Sequence, residues 1–155
     1  MRKLVYIFLL LGITVQAQFV ALTGAIADQG SGLNPNIVSN GTFDDGTDWS
    51  LTTGWAIGGG TLNGTSTTAL ASQTSPAIAP TNGVTYDISF DITAHTEGNL
   101  RVRVGGTSTS TITISGTGNY TSSVVSGADG FIRIDDGGTG GAFTGSIDNL
   151  EIREQ

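Results

Sequence analysis

The chain has one histidine, His95, and no cysteine, so nucleophilic catalysis has little to work with. A serine nucleophile needs a base held beside it, and no serine sits in the context of a nucleophile elbow. Carboxylates occur side by side at Asp44-Asp45 and Asp135-Asp136. Adjacent strand residues point to opposite faces, so neither pair makes an acid–base couple by itself. Both pairs are expected in solvated loops. The run Gly137-Gly138-Thr139-Gly140-Gly141 lacks the Lys-Ser/Thr that completes a phosphate loop and reads as a turn. An enzyme is not expected.

Binding chemistry is better supplied. A sugar ring lays its C–H face on an aromatic ring, and its hydroxyls pair with planar polar groups. The candidates are Trp55, Tyr120 and Phe131 as rings, with Arg101, Arg103, Arg133 and Asp91 as polar partners. Trp49 reads more readily as core. Trp55 flanks a Thr-Thr-Gly turn and could serve as a contact face or as core. Phe131 shares strand parity with Arg133, whereas Ile132 and Ile134 take the other face. Phe131 and Arg133 are therefore expected to be presented together.

The elements that would carry these residues are strands. From Val84 to Ala94, Val84, Tyr86, Ile88, Phe90 and Ile92 alternate with Thr85, Asp87, Ser89, Asp91 and Thr93. That period of two marks a strand with one dry and one wet face. His95-Thr96-Glu97-Gly98 then turns the chain, and Leu100, Val102 and Val104 resume the dry face, with Arg101 and Arg103 on the other. The stretch 83–106 predicts a long antiparallel hairpin at the centre of the fold, in which Arg101 and Arg103 pair with Asp91 and Asp87. Further apolar runs at about ten-residue intervals, joined by Gly-rich turns, bring the count to about ten short strands, the pattern of a sandwich or jelly roll.

Composition supports this. There are 24 glycines among 155 residues, many threonines and serines, and no amphipathic helical run. The basic start Met1-Arg2-Lys3, an apolar run over 4–15 and the small residues around Ala17 predict a signal peptide over 1–17, with an arm or linker over 18–35. The whole chain carries 6 basic and 13 acidic residues, a net charge of −7. Without Arg2 and Lys3 the sum is 4 − 13 = −9. Such acidity argues against nucleic acid or an anionic membrane surface as partner, so no membrane contact is expected once the signal is cleaved.

Three short stretches resemble a known family. Residues 36–44 (NIVSNGTFD) are similar to the opening "N-l-l-x-N-G-x-F-E" strand of the jelly-roll carbohydrate-binding modules of families four, nine and twenty-two and of related galactose-binding-like domains. Residues 83–90 (GVTYDISF) resemble their "G-x-x-Y-x-l-S-F" strand, and residues 146–150 (SIDNL) their closing "x-i-D-N-V/L" strand. The resemblance implies an all-β sandwich, a jelly roll of two antiparallel sheets, over 36–155. It also implies a structural calcium ion where the first and last strands meet, held by Asp44 and Asp148 with the Thr42 carbonyl nearby. Asp44 stands where the family has Glu and reaches one methylene less.

The expected function is that of a secreted or surface-exposed, non-catalytic carbohydrate-binding module, with Trp55, Arg101, Arg103, Tyr120, Phe131 and Arg133 at the sugar and calcium as a structural cofactor. The alternative is a structural or assembly protein of a particle, filament or surface layer, self-associating through the 19–34 arm, which is apolar over 19–27.

Overall fold

The computed structural model describes residues 33–73, 76–109, 111–136 and 141–155. The signal sequence and nearly all of the 18–35 arm, together with most of the 137–141 glycine run, lie outside the described residues. The described chain has no α-helix. Ten strands run in order: β1 (Ser50–Leu51), β2 (Trp55–Ile57), β3 (Leu62–Thr67), β4 (Ala71–Gln73), β5 (Thr85–Glu97), β6 (Arg101–Val104), β7 (Thr107–Ser108), β8 (Gly118–Val125), β9 (Ile132–Asp135) and β10 (Phe143–Glu154).

They form two five-stranded sheets of order β1-β4-β9-β6-β7 and β2-β3-β10-β5-β8. Every pairing is antiparallel. Without β1 and β2, the order β3-β10-β5-β8 over β4-β9-β6-β7 is that of an eight-stranded jelly roll, two Greek keys wrapped into a double sheet. The expected fold class is therefore the observed one.

The strand that dominates the sequence pattern also sits deep in the sheet. β5 runs 13 residues, pairs with β10 on one side and β8 on the other, and buries Tyr86, Ile88, Phe90 and Ile92. Full burial of each such side chain contributes about 1.5–3 kcal/mol. The inner faces of both sheets meet in one core, to which β6 brings Val102 and Val104, β9 Ile132 and Ile134, and β10 Phe143, Ile147, Leu150 and Ile152.

The predicted hairpin is corrected. β5 and β6 do not pair: β5 lies in one sheet, and β6 lies in the other between β9 and β7. The connection crosses the sandwich. Gly98 makes the crossing, at φ +81°, and a Cβ there would lie 2.5 Å from the Ala142 carbonyl oxygen, which leaves room for glycine only. Alternation fixes which face each residue takes, but an arch between sheets carries the same alternation as a hairpin.

Two further segments form single bridges and no strand. Residues 36–40 pair only at Asn36, opposite Arg153, and residues 111–114 only at Ile112, opposite Leu100. The first of these segments nonetheless docks on β10. The Ile37 amide donates to the Ile152 carbonyl at 2.9 Å, and the Leu150 amide donates to the Gly41 carbonyl at 2.9 Å. On its other side the buried Gln73 side chain acts as a piece of strand. It donates to the Ser39 carbonyl at 2.6 Å and accepts from the Ser39 amide at 3.1 Å.

Candidate functional site

The outer face of the β1-β4-β9-β6-β7 sheet brings together four of the six expected contact residues. Parity places Phe131, Arg133 and Asp135 on the outer side of β9, since Ile132 and Ile134 are buried. In β6, Val102 and Val104 are buried, which turns Arg101 and Arg103 outward by the same rule. Arg103 stands directly opposite Arg133 and Arg101 directly opposite Asp135. The row through Arg133 and Arg103 continues to Ser72 in β4, Ser50 in β1 and Ser108 in β7. Ser50, Ser72, Arg133, Arg103 and Ser108 thus cross the whole sheet in register, a span of roughly 19 Å at the usual strand spacing of about 4.8 Å.

Asp135 organises this face. Its side chain is 3% exposed, and its two oxygens accept separately from Arg101 Nε at 2.8 Å and Arg103 Nε at 2.6 Å, whose side chains are 25% and 30% exposed. Each guanidinium has five N–H groups, so these bonds fix its position while engaging one of the five. Arg133 is held from the other side. It donates from a terminal nitrogen to Asp129, and its guanidinium carbon lies 4.9 Å from the centre of the Phe131 ring, within cation–π range. Burial pushes the Asp129 carboxyl up, but the hydrogen bond from Arg133, the Phe131 amide and the Arg133 charge together outweigh it and hold the carboxyl below the ordinary aspartate range. The Phe131 amide donates to Asp129 Oδ1 at 2.9 Å, so one carboxylate positions both the ring and the guanidinium above it.

These contacts correct two expectations. Arg101 and Arg103 do not pair with Asp91 and Asp87, because the arch carries them to the opposite sheet. Asp91 instead accepts from Asn119 at 3.0 Å and Asn149 at 2.9 Å, and Asp87 accepts from the Gln155 side chain. Nor is Asp135 a solvated loop residue; it is the buried anchor of the arginine face. In the sequence, its shared parity with Phe131 and Arg133 is the signal that sets it on this face.

The other two rings lie elsewhere. Trp55 is 6% exposed, stacks on Phe143 at 5.9 Å and donates from Nε1 to the Ala69 carbonyl at 3.0 Å. It is core with its one polar atom satisfied, and it is removed from the contact residues. Trp49 is core too, beside Phe43 at 5.3 Å. Tyr120 sits on β8 in the opposite sheet, stacked on Phe90 at 5.9 Å. Its hydroxyl accepts from the Ser115 amide at 3.1 Å and donates to the Gly116 carbonyl at 3.0 Å. It braces the 115–120 turn and is not part of the arginine face.

The outer side of the opposite sheet holds a hollow of about 730 Å³ lined by Asp87, Ser89, Thr121, Ser123, Glu151 and Arg153, among others. Among the described residues no aromatic ring lines it. Its charged groups serve the chain itself: Arg153 bonds Glu151 at 3.3 Å and the Asn34 carbonyl at 2.7 Å.

The residues expected at calcium lie near the junction of Gly41 with Leu150. Asp44 Oδ2 accepts from the Thr42 hydroxyl at 2.7 Å, and Asp148 Oδ1 accepts from the Asn149 amide at 2.7 Å. Among the described residues no three His, Cys, Asp or Glu side chains gather. An ion here would depend on backbone carbonyls for most of its six to eight oxygens.

No protein family matches the chain by sequence, and no curated protein does. Among solved structures, the chain is similar to one described as the structure of CBM35 from Paenibacillus barcinonensis, at 22% identity and a TM-score of 0.35, over 67% of this chain and 88% of that one. A superposition this loose does not establish a shared topology.

Proposed function

We propose that the chain is a non-catalytic carbohydrate-binding domain, exported from the cell, whose contact face is the outer surface of the β1-β4-β9-β6-β7 sheet. The observation that carries this reading is the convergence there of Phe131, Arg133, Arg103 and Arg101 on a line of serine hydroxyls. Guanidinium planes donate paired hydrogen bonds to sugar oxygens, serines add donors and acceptors, and the Phe131 ring offers an edge or face to a pyranose. The carboxylates beneath hold these groups in place before any ligand arrives, which lowers the ordering cost of binding. Retention of the folded protein on a glycan array and on insoluble polysaccharides tests the reading, with Phe131→Ala and Arg133→Gln as variants. Retention that both variants abolish is expected. No retention of the folded wild-type chain on any glycan would overturn it.

A second reading, assembly, is favoured by one feature. β8 pairs with β5 over eight residues without a register shift and ends its sheet. It carries no charge, no proline and no bulge, the usual guards of a free edge. In this reading β8 would add to a neighbouring copy, extending the sheet. Light scattering decides it: self-association that Thr121→Lys and Ser123→Lys abolish supports assembly, and a monomer at all concentrations removes it.

A further inference from the structure

Resting on the carbohydrate-binding reading, we infer that the ligand is an acidic saccharide, one that presents a carboxylate or sulfate to Arg103 and Arg133. The argument starts from a placement that works against stability. Arg103 and Arg133 are directly opposite each other on neighbouring strands, where like charges destabilise a sheet. Asp135 is all but excluded from water, and a carboxylate in that position carries a desolvation penalty that its ion pairs roughly cancel. A fold seeking stability alone would place apolar or hydroxyl side chains here.

The distribution of charge points the same way. Of the six basic residues in the chain, four lie in the described residues: Arg101, Arg103, Arg133 and Arg153. Three of them share this face, on a protein with a net charge of −7. The arrangement suits an anion. Asp135 engages the Nε atoms of Arg101 and Arg103, so the forked ends that match carboxylate and sulfate oxygens remain to be used. The flanking hydroxyls of Ser72 and Ser108 continue the row along a sugar chain.

The net charge repels polyanions at long range while this face attracts them at contact. Salt therefore acts on both terms, and ionic-strength dependence does not report on the site. Matched ligands do. Galacturonate, glucuronate-bearing and mannuronate oligosaccharides are titrated calorimetrically against their methyl esters, which keep the sugar and remove the charge. A sulfated oligosaccharide forms a second arm, and neutral oligosaccharides a third.

At least one acidic ligand should bind tenfold or more tightly than its neutral counterpart, and the carboxylated and sulfated arms tell which anion is preferred. Arg103→Gln and Arg133→Gln should each remove that preference. Arg103→Lys, which keeps the charge and loses the fork, should restore only part of it. Arg153→Gln, on the opposite sheet, should leave it unchanged, and thermal melts confirm that each variant is folded. Equal affinity for every acid and its ester would overturn the acidic ligand and leave carbohydrate binding standing. An equal loss in Arg153→Gln would overturn it as an effect of net charge. Binding to no saccharide in any arm would overturn both.

Discussion

Replacing Asp135 by Asn keeps the shape of the side chain and removes its charge. In the folded protein that carboxylate lies between two guanidiniums, 2.8 and 2.6 Å from their Nε atoms. At charge separations near 4 Å and an effective dielectric of about 20, each pair is worth about 4 kcal/mol before desolvation. Desolvation of a nearly buried acid cancels much of that gain. The substitution adds a loss, because Arg101 and Arg103 then face each other with only a neutral amide between them. Breaking one side of a buried ion pair costs about 3–5 kcal/mol, and the partial exposure of both arginines places this case at the lower end, about 3 kcal/mol. For a domain of this size that lowers Tm by roughly 10 °C.

Urea titration followed by far-UV circular dichroism measures the loss as a shift in midpoint at unchanged slope. The cost should shrink when Arg101 and Arg103 are both Gln, since the repulsion the carboxylate relieves is then absent. A loss below about 1 kcal/mol in the native background, the level of an exposed pair, would refute Asp135 as the anchor of this face. So would an identical loss with and without the arginines.

Three further perturbations are testable, two from the geometry and one from the sequence resemblance. Gly41→Ala would set a Cβ 2.1 Å from the Leu150 carbonyl oxygen; the first segment must lift from β10, at about 2–4 kcal/mol by chemical denaturation. The hydrogen bond from Asn149, then that from Asn119, holds the Asp91 carboxyl below its ordinary value; this stabilisation is present above the unfolded pKa of about 3.9 and disappears as pH falls through the lower folded value. Stability curves of wild type and Asp91→Asn should therefore be separated at neutral pH and converge in acid, and a gap that widens in acid would reverse the assignment. A calcium tie through Asp44, Asp148 and the Thr42 carbonyl is proposed on the sequence resemblance; at a hundredfold excess over Kd it adds about 2.7 kcal/mol. A chelator should lower Tm, calcium should restore it and Asp148→Ala should abolish the response, whereas a Tm indifferent to both removes the ion.

Strand parity was legible in the sequence because a sheet with one dry face forces it. Tyr86, Ile88, Phe90 and Ile92 point inward as their spacing requires, and Phe131 shares a face with Arg133 for the same reason. Strand partners were not legible. Nothing between His95 and Gly98 distinguishes a turn back along the same sheet from a step to the facing one, and the outcome depends on Gly98 fitting against Ala142, more than forty residues away in the chain. The exchange of Asp91 for Asp135 as the partner of Arg101 follows from that one ambiguity. Trp55 was open from sequence because a turn-flanking ring can face either way; the Phe143 ring and the Ala69 carbonyl, both distant in sequence, draw it inward.

The docking of the first segment on β10 also decides how the domain responds to tension. Asn36 bridges Arg153 antiparallel, the Asn34 side chain donates to the Glu154 carbonyl at 2.9 Å, and the Arg153 guanidinium donates to the Asn34 carbonyl. Residues 34 and 155 therefore leave the sandwich side by side. A pull applied through the two of them opens this seam as a zipper, loading one hydrogen bond at a time where a shearing pull would share the force among many. The first rupture would free 34–41 from β10 while the arginine face, on the opposite sheet, keeps its register. The chain between residues 34 and 155 would thus lengthen by a fixed step under strain before the register of the arginine face is disturbed.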